Sequence, residues 1–222
     1  MAYDLEEQEQ LADLKAFWNK YGNLLTWVLI AVLGSYAAWN FWNYHQRNQA
    51  SDASVLYEEL QKSLTDKDNA KVQRIAADLE TKFGSTAYGA MAALAAAKGA
   101  FDANDLKTAK TQLQWVVSHG NDEYKSIAKL RLAGVLLDEK AYDDGLKLLA
   151  TDFLPQFAGS VADRKGDILV AQNKLAEARS AYQAALAAMD SKNPGRKLVE
   201  LKLESIGGTV GSATAPAVKS AA

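Results

Sequence analysis

The chain has 222 residues, 49% hydrophobic and 23% charged, which is enough for one ordinary domain plus an anchor and excludes a large multidomain enzyme. Its formal net charge of -2 gives no global basic field, so we predict no nucleic-acid partner. Cysteine is absent, which excludes disulfides, thiolate metal sites and a cysteine nucleophile. Helix-favouring residues dominate and prolines number only three, so the composition predicts an all-α protein.

Residues 1–20 form an acidic segment, with five acidic residues against Lys15 and Lys20. The apolar residues in this segment recur at spacings that one helix face could present. They are Leu5, Leu11, Leu14, Phe17 and Trp18. The pattern is compatible with a short amphipathic helix or with a solvated acidic tail.

The next segment, residues 21–45, is predicted to be a transmembrane anchor. Residues 24–42 read LLTWVLIAVLGSYAAWNFW and contain no charge; as a helix they would extend roughly 28 Å, close to the hydrocarbon thickness of a bilayer. Aromatic residues lie near both ends, as at membrane interfaces, which favours a spanning helix over a buried core helix. A cleavable signal peptide is less favoured, because the preceding residues are acidic and the apolar stretch is too long.

The orientation of this anchor is encoded by a small excess of positive charge on its N-terminal side. Lys15 and Lys20 precede the anchor, whereas only Arg47 follows it closely. The positive-inside rule therefore predicts a cytoplasmic N-terminus, with the long C-terminal part translocated.

Residues 50–206 show an internal repeat made of helical hairpins. Three polar turns, FDANDL, LDEKAY and VAQNKL, are each followed by a second helix, and a small residue stands at the same offset in each: Ala109, Gly145 and Ala178. These positions are 36 and 33 residues apart, close to the tetratricopeptide period of about 34. Apolar or aromatic residues follow at two later offsets, namely Leu113 and Val117, Leu149 and Phe153, and Tyr182 and Leu186.

Small residues at a helix crossing allow the two helices of a hairpin to pack closely. The first helices supply the matching set, Ala97, Ala133 and Gly166, which we expect to face the small residues of the second helices. A degenerate fourth copy precedes them, with a first helix over residues 55–64 and a second helix containing Val72, Ala76 and Leu79. Residues 196–206 are predicted to form a terminal capping helix.

The repeat departs from the consensus, because the signature Trp of the first helix and the Pro that ends the second are missing. We therefore predict a tetratricopeptide-like helical-hairpin solenoid, with ordinary hairpins of an α-helical bundle as the alternative. Residues 207–222 are rich in Gly, Ala and Ser and are predicted to be a disordered tail.

No pattern of catalytic or metal-binding residues emerges. His45 and His119 have no neighbouring ligand constellation and are interpreted as an interfacial residue and a turn residue. Asp143 and Asp144 lie at the start of a second helix, where the helix dipole favours negative charge. We therefore predict no enzymatic activity, no cofactor and no metal ion.

A binding role follows from the predicted architecture, because tetratricopeptide-like stacks form a concave groove lined mainly by first helices. The repeat register places the following candidate protein-binding residues on this groove: Met91, Leu94, Lys98, Phe101 and Asp102 in the first repeat, Leu130, Leu137 and Asp138 in the second, and Asp163, Asp167 and Val170 in the third. The apolar residues among them could instead belong to the core.

Five features together resemble the ancillary Sec-translocon subunit family of proteobacteria. The acidic N-terminal stretch is followed by an uncharged helix that ends in Trp42-Asn43-Tyr44-His45-Gln46. The short segments that complete the resemblance are Tyr88-Gly89-Ala90, Leu130-Arg131-Leu132-Ala133 and Asp163-Arg164-Lys165-Gly166-Asp167. The resemblance covers nearly the full length apart from the tail, and the order of the features contributes more to it than any single motif.

The resemblance implies a single-pass type II protein of the bacterial inner membrane, with a cytoplasmic N-terminus and a periplasmic tetratricopeptide-like domain. Its implied partners are the Sec translocon, a membrane-anchored periplasmic chaperone of the peptidyl-prolyl isomerase type and nascent secreted polypeptides. The expected function is to help pass translocated polypeptides to periplasmic chaperones. A scaffold for another envelope complex, in division or cell-wall assembly, is the main alternative, and a membrane-bound enzyme is a third.

Overall fold

A computed structural model describes residues 2–209, with side chains for residues 10–12 and 14–209. Within this range the chain forms helices and short connections and contains no strand, which confirms the all-α prediction. The α-helices are α1 (Ala2–Thr65), α2 (Asn69–Phe83), α3 (Ala87–Asp102), α4 (Leu106–His119), α5 (Asp122–Asp138), α6 (Tyr142–Leu149), α7 (Ala158–Ala171), α8 (Leu175–Ala188) and α9 (Arg196–Ser205). A single 3-10 turn, Pro155–Phe157, precedes α7.

The chain divides into two compact units, Met1–Ser51 and Asp52–Ala222. The first unit consists of the N-terminal part of α1, and among the described residues Gln10–Thr65 is the one helix that is long and apolar enough to cross a membrane. Its large apolar side chains, such as Trp27, Leu33 and Trp42, are exposed in the isolated chain. In the N-terminal segment, for which a short amphipathic helix and a solvated tail were the two predictions, residues 2–20 are helical and form the first turns of α1.

Up to residue 209, where the described residues end, the second unit is a series of four helical hairpins followed by a single helix. The C-terminal part of α1 pairs with α2, and the pairs α3–α4, α5–α6 and α7–α8 follow. Each hairpin turn contains one residue with a left-handed backbone, at Lys67, Asn104, Lys140 and Asn173. In each turn the backbone N–H of that residue and the N–H of the following residue donate to carbonyl oxygens at the end of the preceding helix. Four equivalent turns at repeat spacing confirm the repeat, including its degenerate first copy, and argue against an irregular bundle.

The predicted small residues lie at buried helix crossings. Ala109, Gly145 and Ala178 are all buried, and a Cβ on Gly145 would lie 2.9 Å from Ile168 Cδ1 and 3.8 Å from the carbonyl oxygen of Ala133. In the third hairpin Gly166 lies against the ring of Tyr182 of α8. An aromatic ring at the later offset occupies the space that the missing side chain leaves.

Two positional predictions are wrong. The second helix of the second hairpin ends at Leu149, so Phe153 lies outside it, in the connection that precedes the 3-10 turn Pro155–Phe157. Phe153 still packs beside Leu149 in a cluster of partly buried residues. His119 is the last residue of α4 and not a turn residue, with its ring stacked on Trp115 at a centroid distance of 4.6 Å.

The C-terminal end of the repeat series has the helix that the sequence predicts. The predicted capping helix is α9, whose Val199 and Leu203 are buried against Tyr182 and Leu186 of α8. Residues 207–209 follow it without regular structure, and the rest of the predicted disordered tail lies outside the described residues.

Asp143 and Asp144 lie in the first turn of α6, as predicted, and the N-cap residue of this helix makes no side-chain capping bond.

Candidate protein-binding groove

Two adjoining depressions form along the first helices of the hairpins. The one that we call the central groove has a volume of about 370 Å³. Its lining consists of Ala97, Lys98, Phe101, Leu113, Arg131, Gly134, Val135, Leu137, Asp138 and Arg164. The adjoining groove, of about 390 Å³, is lined by Tyr57, Gln61, Leu64, Met91, Leu94, Ala95, Lys98, Tyr124, Ile127 and Arg131. Lys98 and Arg131 belong to both, so the two grooves form one continuous surface.

Helical periodicity places these side chains on one face. On α3, Leu94, Lys98 and Phe101 are separated by four and three positions, which brings them to the same side of the helix. On α5, Arg131, Gly134 and Asp138 follow the same spacing. Leu94 is nearly buried, whereas Phe101 is 42% exposed, so the surface has an apolar floor with an aromatic ring open to solvent.

Two arginines reach from one hairpin towards the preceding one. Arg131 of α5 extends to α3, where its Nη1 donates to the carbonyl oxygen of Leu94 at 3.4 Å. Arg164 of α7 lies over Gly134 of α5, with its Cζ 3.6 Å from the position of a Cβ there. The guanidinium groups therefore line the central groove, and the absence of a side chain at Gly134 leaves space beside Arg164.

Within the described part of the chain, the central groove has one cation, Arg131, that lacks a carboxylate partner. Its lining contains three cations, Lys98, Arg131 and Arg164, and one carboxylate, Asp138. Lys98 forms an ion pair with Asp102 one turn further along α3, and Arg164 lies 3.5 Å from Asp167. Among the described side chains, no carboxylate lies within salt-bridge distance of Arg131.

The residues predicted from the first two repeats largely meet on this surface. Lys98, Phe101, Leu137 and Asp138 line the central groove, and Met91, Leu94 and Lys98 line the adjoining one. Asp102 is exposed next to Lys98. Leu130 instead packs with Ala133, Leu149 and Ile168 in the core between the second and third hairpins.

The residues predicted from the third repeat face the capping helix. Lys202 of α9 donates to Asp163 at 2.8 Å and to Asp167 at 3.0 Å, and the Tyr182 hydroxyl also donates to Asp167, at 2.9 Å. Burial raises the pKa of the Asp163 carboxyl above its ordinary value, and the hydrogen bond from Lys202 opposes that shift. Val170 is partly buried beside α8 and Ile206. None of the three residues lines the central groove, although Asp167 lies 3.5 Å from Arg164, which does.

The sequence did not predict four of the groove residues, namely Arg131, Arg164, Tyr57 and Tyr124. The available signal was the charge of Arg131 inside the otherwise apolar run Leu130-Arg131-Leu132-Ala133, because a cation among core-forming residues must point to solvent or to a partner. Arg164 carried no such signal, since it stands among other charged residues.

The chemistry of this surface is that of binding. Among the described residues no group of three or more His, Cys, Asp or Glu side chains is arranged to hold a metal ion. The groove offers apolar area, an exposed aromatic ring and guanidinium donors, which suit a peptide with carboxylate and apolar side chains.

The hairpin repeat, its capping helix and its first-helix groove define a tetratricopeptide repeat-like protein. The tetratricopeptide repeat-like domain family matches residues 15–208. The chain is 32% identical to the ancillary SecYEG translocon subunit of Neisseria gonorrhoeae, over 93% of this chain and all of the relative. It is 34% identical to the protein of the same name from Escherichia coli, over 80% of this chain and 86% of the relative.

This chain belongs to the ancillary SecYEG translocon subunit family. The Haemophilus influenzae member is 30% identical over 83% of this chain and 91% of its own length. No solved structure matches the chain at a significant level.

Proposed function

We propose that the chain is an ancillary subunit of the Sec translocon that connects the translocon to periplasmic chaperones and helps transfer translocated polypeptides to them. The observation that carries the proposal is the kinship with proteins named ancillary SecYEG translocon subunits along nearly the whole chain. The mechanism is binding, through the groove on the first helices, and no chemical step is needed.

The proposed topology is type II in the bacterial inner membrane. Residues 21–45 cross the bilayer, residues 1–20 lie in the cytoplasm, and the repeat domain lies in the periplasm. The candidate membrane-spanning helix supports the anchor, and the lysines on its N-terminal side support the orientation. Tethering would hold the groove near the translocon exit and raise its effective concentration towards emerging polypeptides.

The proposed partners are the translocon, a membrane-anchored chaperone of the peptidyl-prolyl isomerase type and nascent secreted polypeptides. Purification of the full-length tagged chain from detergent-solubilised membranes tests the first two. Translocon subunits and such a chaperone are expected to be enriched relative to an unrelated single-pass protein with the same tag. Recovery of division or wall-assembly proteins in their place would make the scaffold function the better one.

Photocrosslinking in cells tests whether the groove is the contact surface. A probe at Lys98 or Asp138 is expected to give adducts with the chaperone or with a secreted precursor. A probe at Lys147 is the matched control, because this side chain is 79% exposed on α6 and lines neither groove. Equal adducts from all three positions would show that the groove is not the preferred surface. A probe at Asp167 reports separately on the third hairpin.

A further inference from the structure

We propose that the central groove binds an internal polypeptide segment in which a carboxylate is flanked by apolar side chains, and that Arg131 is the anchor for that carboxylate. This inference rests on the proposed function, since it specifies the chemistry of the segment that the groove accepts. It concerns residues that the repeat register does not mark as groove residues.

The first observation is the position of Arg131. Its side chain belongs to both grooves, so it lies at the middle of the continuous surface. Its one hydrogen bond to protein, to the carbonyl oxygen of Leu94, is long at 3.4 Å and uses a single N–H. A guanidinium has five donors arranged as a planar fork, which leaves Arg131 with an open edge for bidentate contact with a carboxylate.

The second observation is charge complementarity. The lining of the central groove contains the cations Lys98, Arg131 and Arg164 and the carboxylate Asp138. Asp102 pairs with Lys98 and Asp167 lies 3.5 Å from Arg164, so Arg131 is the lining cation whose charge no salt bridge offsets among the described side chains. In the adjoining groove, the lining contains Lys98 and Arg131 and no carboxylate. We therefore expect an acidic segment to associate faster than a basic one and to bind in a better-defined register.

The third observation is the apolar area beside these cations. Phe101 of α3 and Leu137 of α5 line the central groove, and Met91 and Tyr57 line the adjoining one. A segment that places apolar side chains on either side of its carboxylate could fill both grooves at once. Partial enclosure by these residues would also exclude water from the ion pair and strengthen it.

The test uses the full-length chain in nanodiscs and three fluorescein-labelled peptides measured by anisotropy. The first peptide alternates Glu with Leu and Phe, the second replaces every Glu by Gln, and the third replaces every Glu by Lys. Empty nanodiscs correct for direct binding to lipid. We expect the Glu peptide to bind at least about tenfold more tightly than the Gln peptide, and the Lys peptide to bind most weakly.

Variants identify the anchor. Arg131→Glu is expected to weaken binding of the Glu peptide by about tenfold or more, whereas Lys147→Glu changes the charge equally on an exposed position outside the groove and is expected to have little effect. Asp138→Asn removes the opposing carboxylate and is expected to tighten binding. Gly134→Leu fills the space beside Arg164 and is expected to block all three peptides. Arg131 and Lys147 are both exposed, so their replacement leaves the core intact.

Equal affinities for the Glu and Gln peptides, or equal effects of Arg131→Glu and Lys147→Glu, would overturn the inference. Such a result would leave the proposed function standing if the translocon and the chaperone still co-purify with the chain. Loss of co-purification together with normal peptide discrimination would have the opposite meaning, because the groove chemistry would be correct and the assigned partners wrong.

Discussion

The contact between Gly166 and Tyr182 gives the sharpest test of how the third hairpin is packed. A Cβ placed on Gly166 would lie 2.4 Å from Tyr182 Cε1 and 2.5 Å from Cδ1, far inside van der Waals contact. The ring has little freedom to move, because Tyr182 is only 2% exposed and its hydroxyl donates to Asp167 at 2.9 Å. Gly166→Ala should therefore force α7 and α8 apart.

The expected magnitude follows from two opposing effects. Overpacking of a well-packed core costs about 1–3 kcal/mol. Replacing a glycine inside a helix by alanine returns up to about 1 kcal/mol. We expect a net loss of up to about 3 kcal/mol in the free energy of unfolding, which corresponds to a decrease in Tm of up to roughly 12 °C for a domain of this size.

Gly134→Ala is the matched control, since this glycine occupies the middle of α5 as Gly166 does of α7. The nearest atom to a Cβ on Gly134 is Arg164 Cζ at 3.6 Å, an ordinary contact. This variant should therefore be neutral or stabilised by up to about 1 kcal/mol. Urea unfolding of the full-length chain in detergent, followed by circular dichroism, measures both variants.

A double-mutant cycle identifies the clashing group. Tyr182→Leu alone should destabilise the domain by removing a buried ring, but Gly166→Ala should cost much less in that background because the ring is gone. The coupling should exceed about 1 kcal/mol. If Gly166→Ala were as stable as Gly134→Ala, the close packing of α7 against Tyr182 would be refuted.

Three further predictions address titration, the cap and topology. Burial raises the pKa of the Glu80 carboxyl to about 7, so the folded state keeps a proton that the unfolded state releases near pH 4.5. The free energy of unfolding should therefore fall by about 1–2 kcal/mol between pH 5 and 8. Urea unfolding at each pH should show that Glu80→Gln flattens this dependence. Lys202→Met should lower the free energy of unfolding by about 1–3 kcal/mol, because two partly buried carboxylates lose a partner. The control Lys197→Met, at an exposed position of α9, should lower it by less than about 1 kcal/mol. Because the chain has no cysteine, single introduced cysteines can report its topology. A membrane-impermeant maleimide applied to spheroplasts should label a cysteine at position 147, and should label one at position 15 only after lysis. The reverse pattern would contradict the proposed orientation.

The repeat was predictable because its determinants are local. Ala109, Gly145 and Ala178 recur at fixed spacing in the sequence, and each lies buried at a helix crossing. The early end of α6 was missed because Phe153 continues the apolar pattern beyond Leu149, where the helix ends. Periodicity reports which residues seek burial, and it does not by itself report where a helix ends.

The groove was only partly predictable, for a different reason. Spacing along α3 and α5 correctly brought Lys98, Phe101 and Asp138 to one surface. The reach of Arg131 and Arg164 across to the preceding hairpin depends on long side chains and on space left by neighbours such as Gly134, which no local pattern encodes. Contacts between helices, rather than propensities within them, decide which charges line the groove.

The capping helix also compensates charge in the third hairpin. Without α9, Asp163 and Asp167 would be two partly buried carboxylates on α7 with Arg164 as the nearest cation to Asp167. Lys202 of α9 donates to both carboxylates, and Arg164 lies 3.5 Å from Asp167, so two cations face two carboxylates here. The terminal helix that covers the exposed core of the last hairpin therefore also supplies a cation that this pair of carboxylates needs.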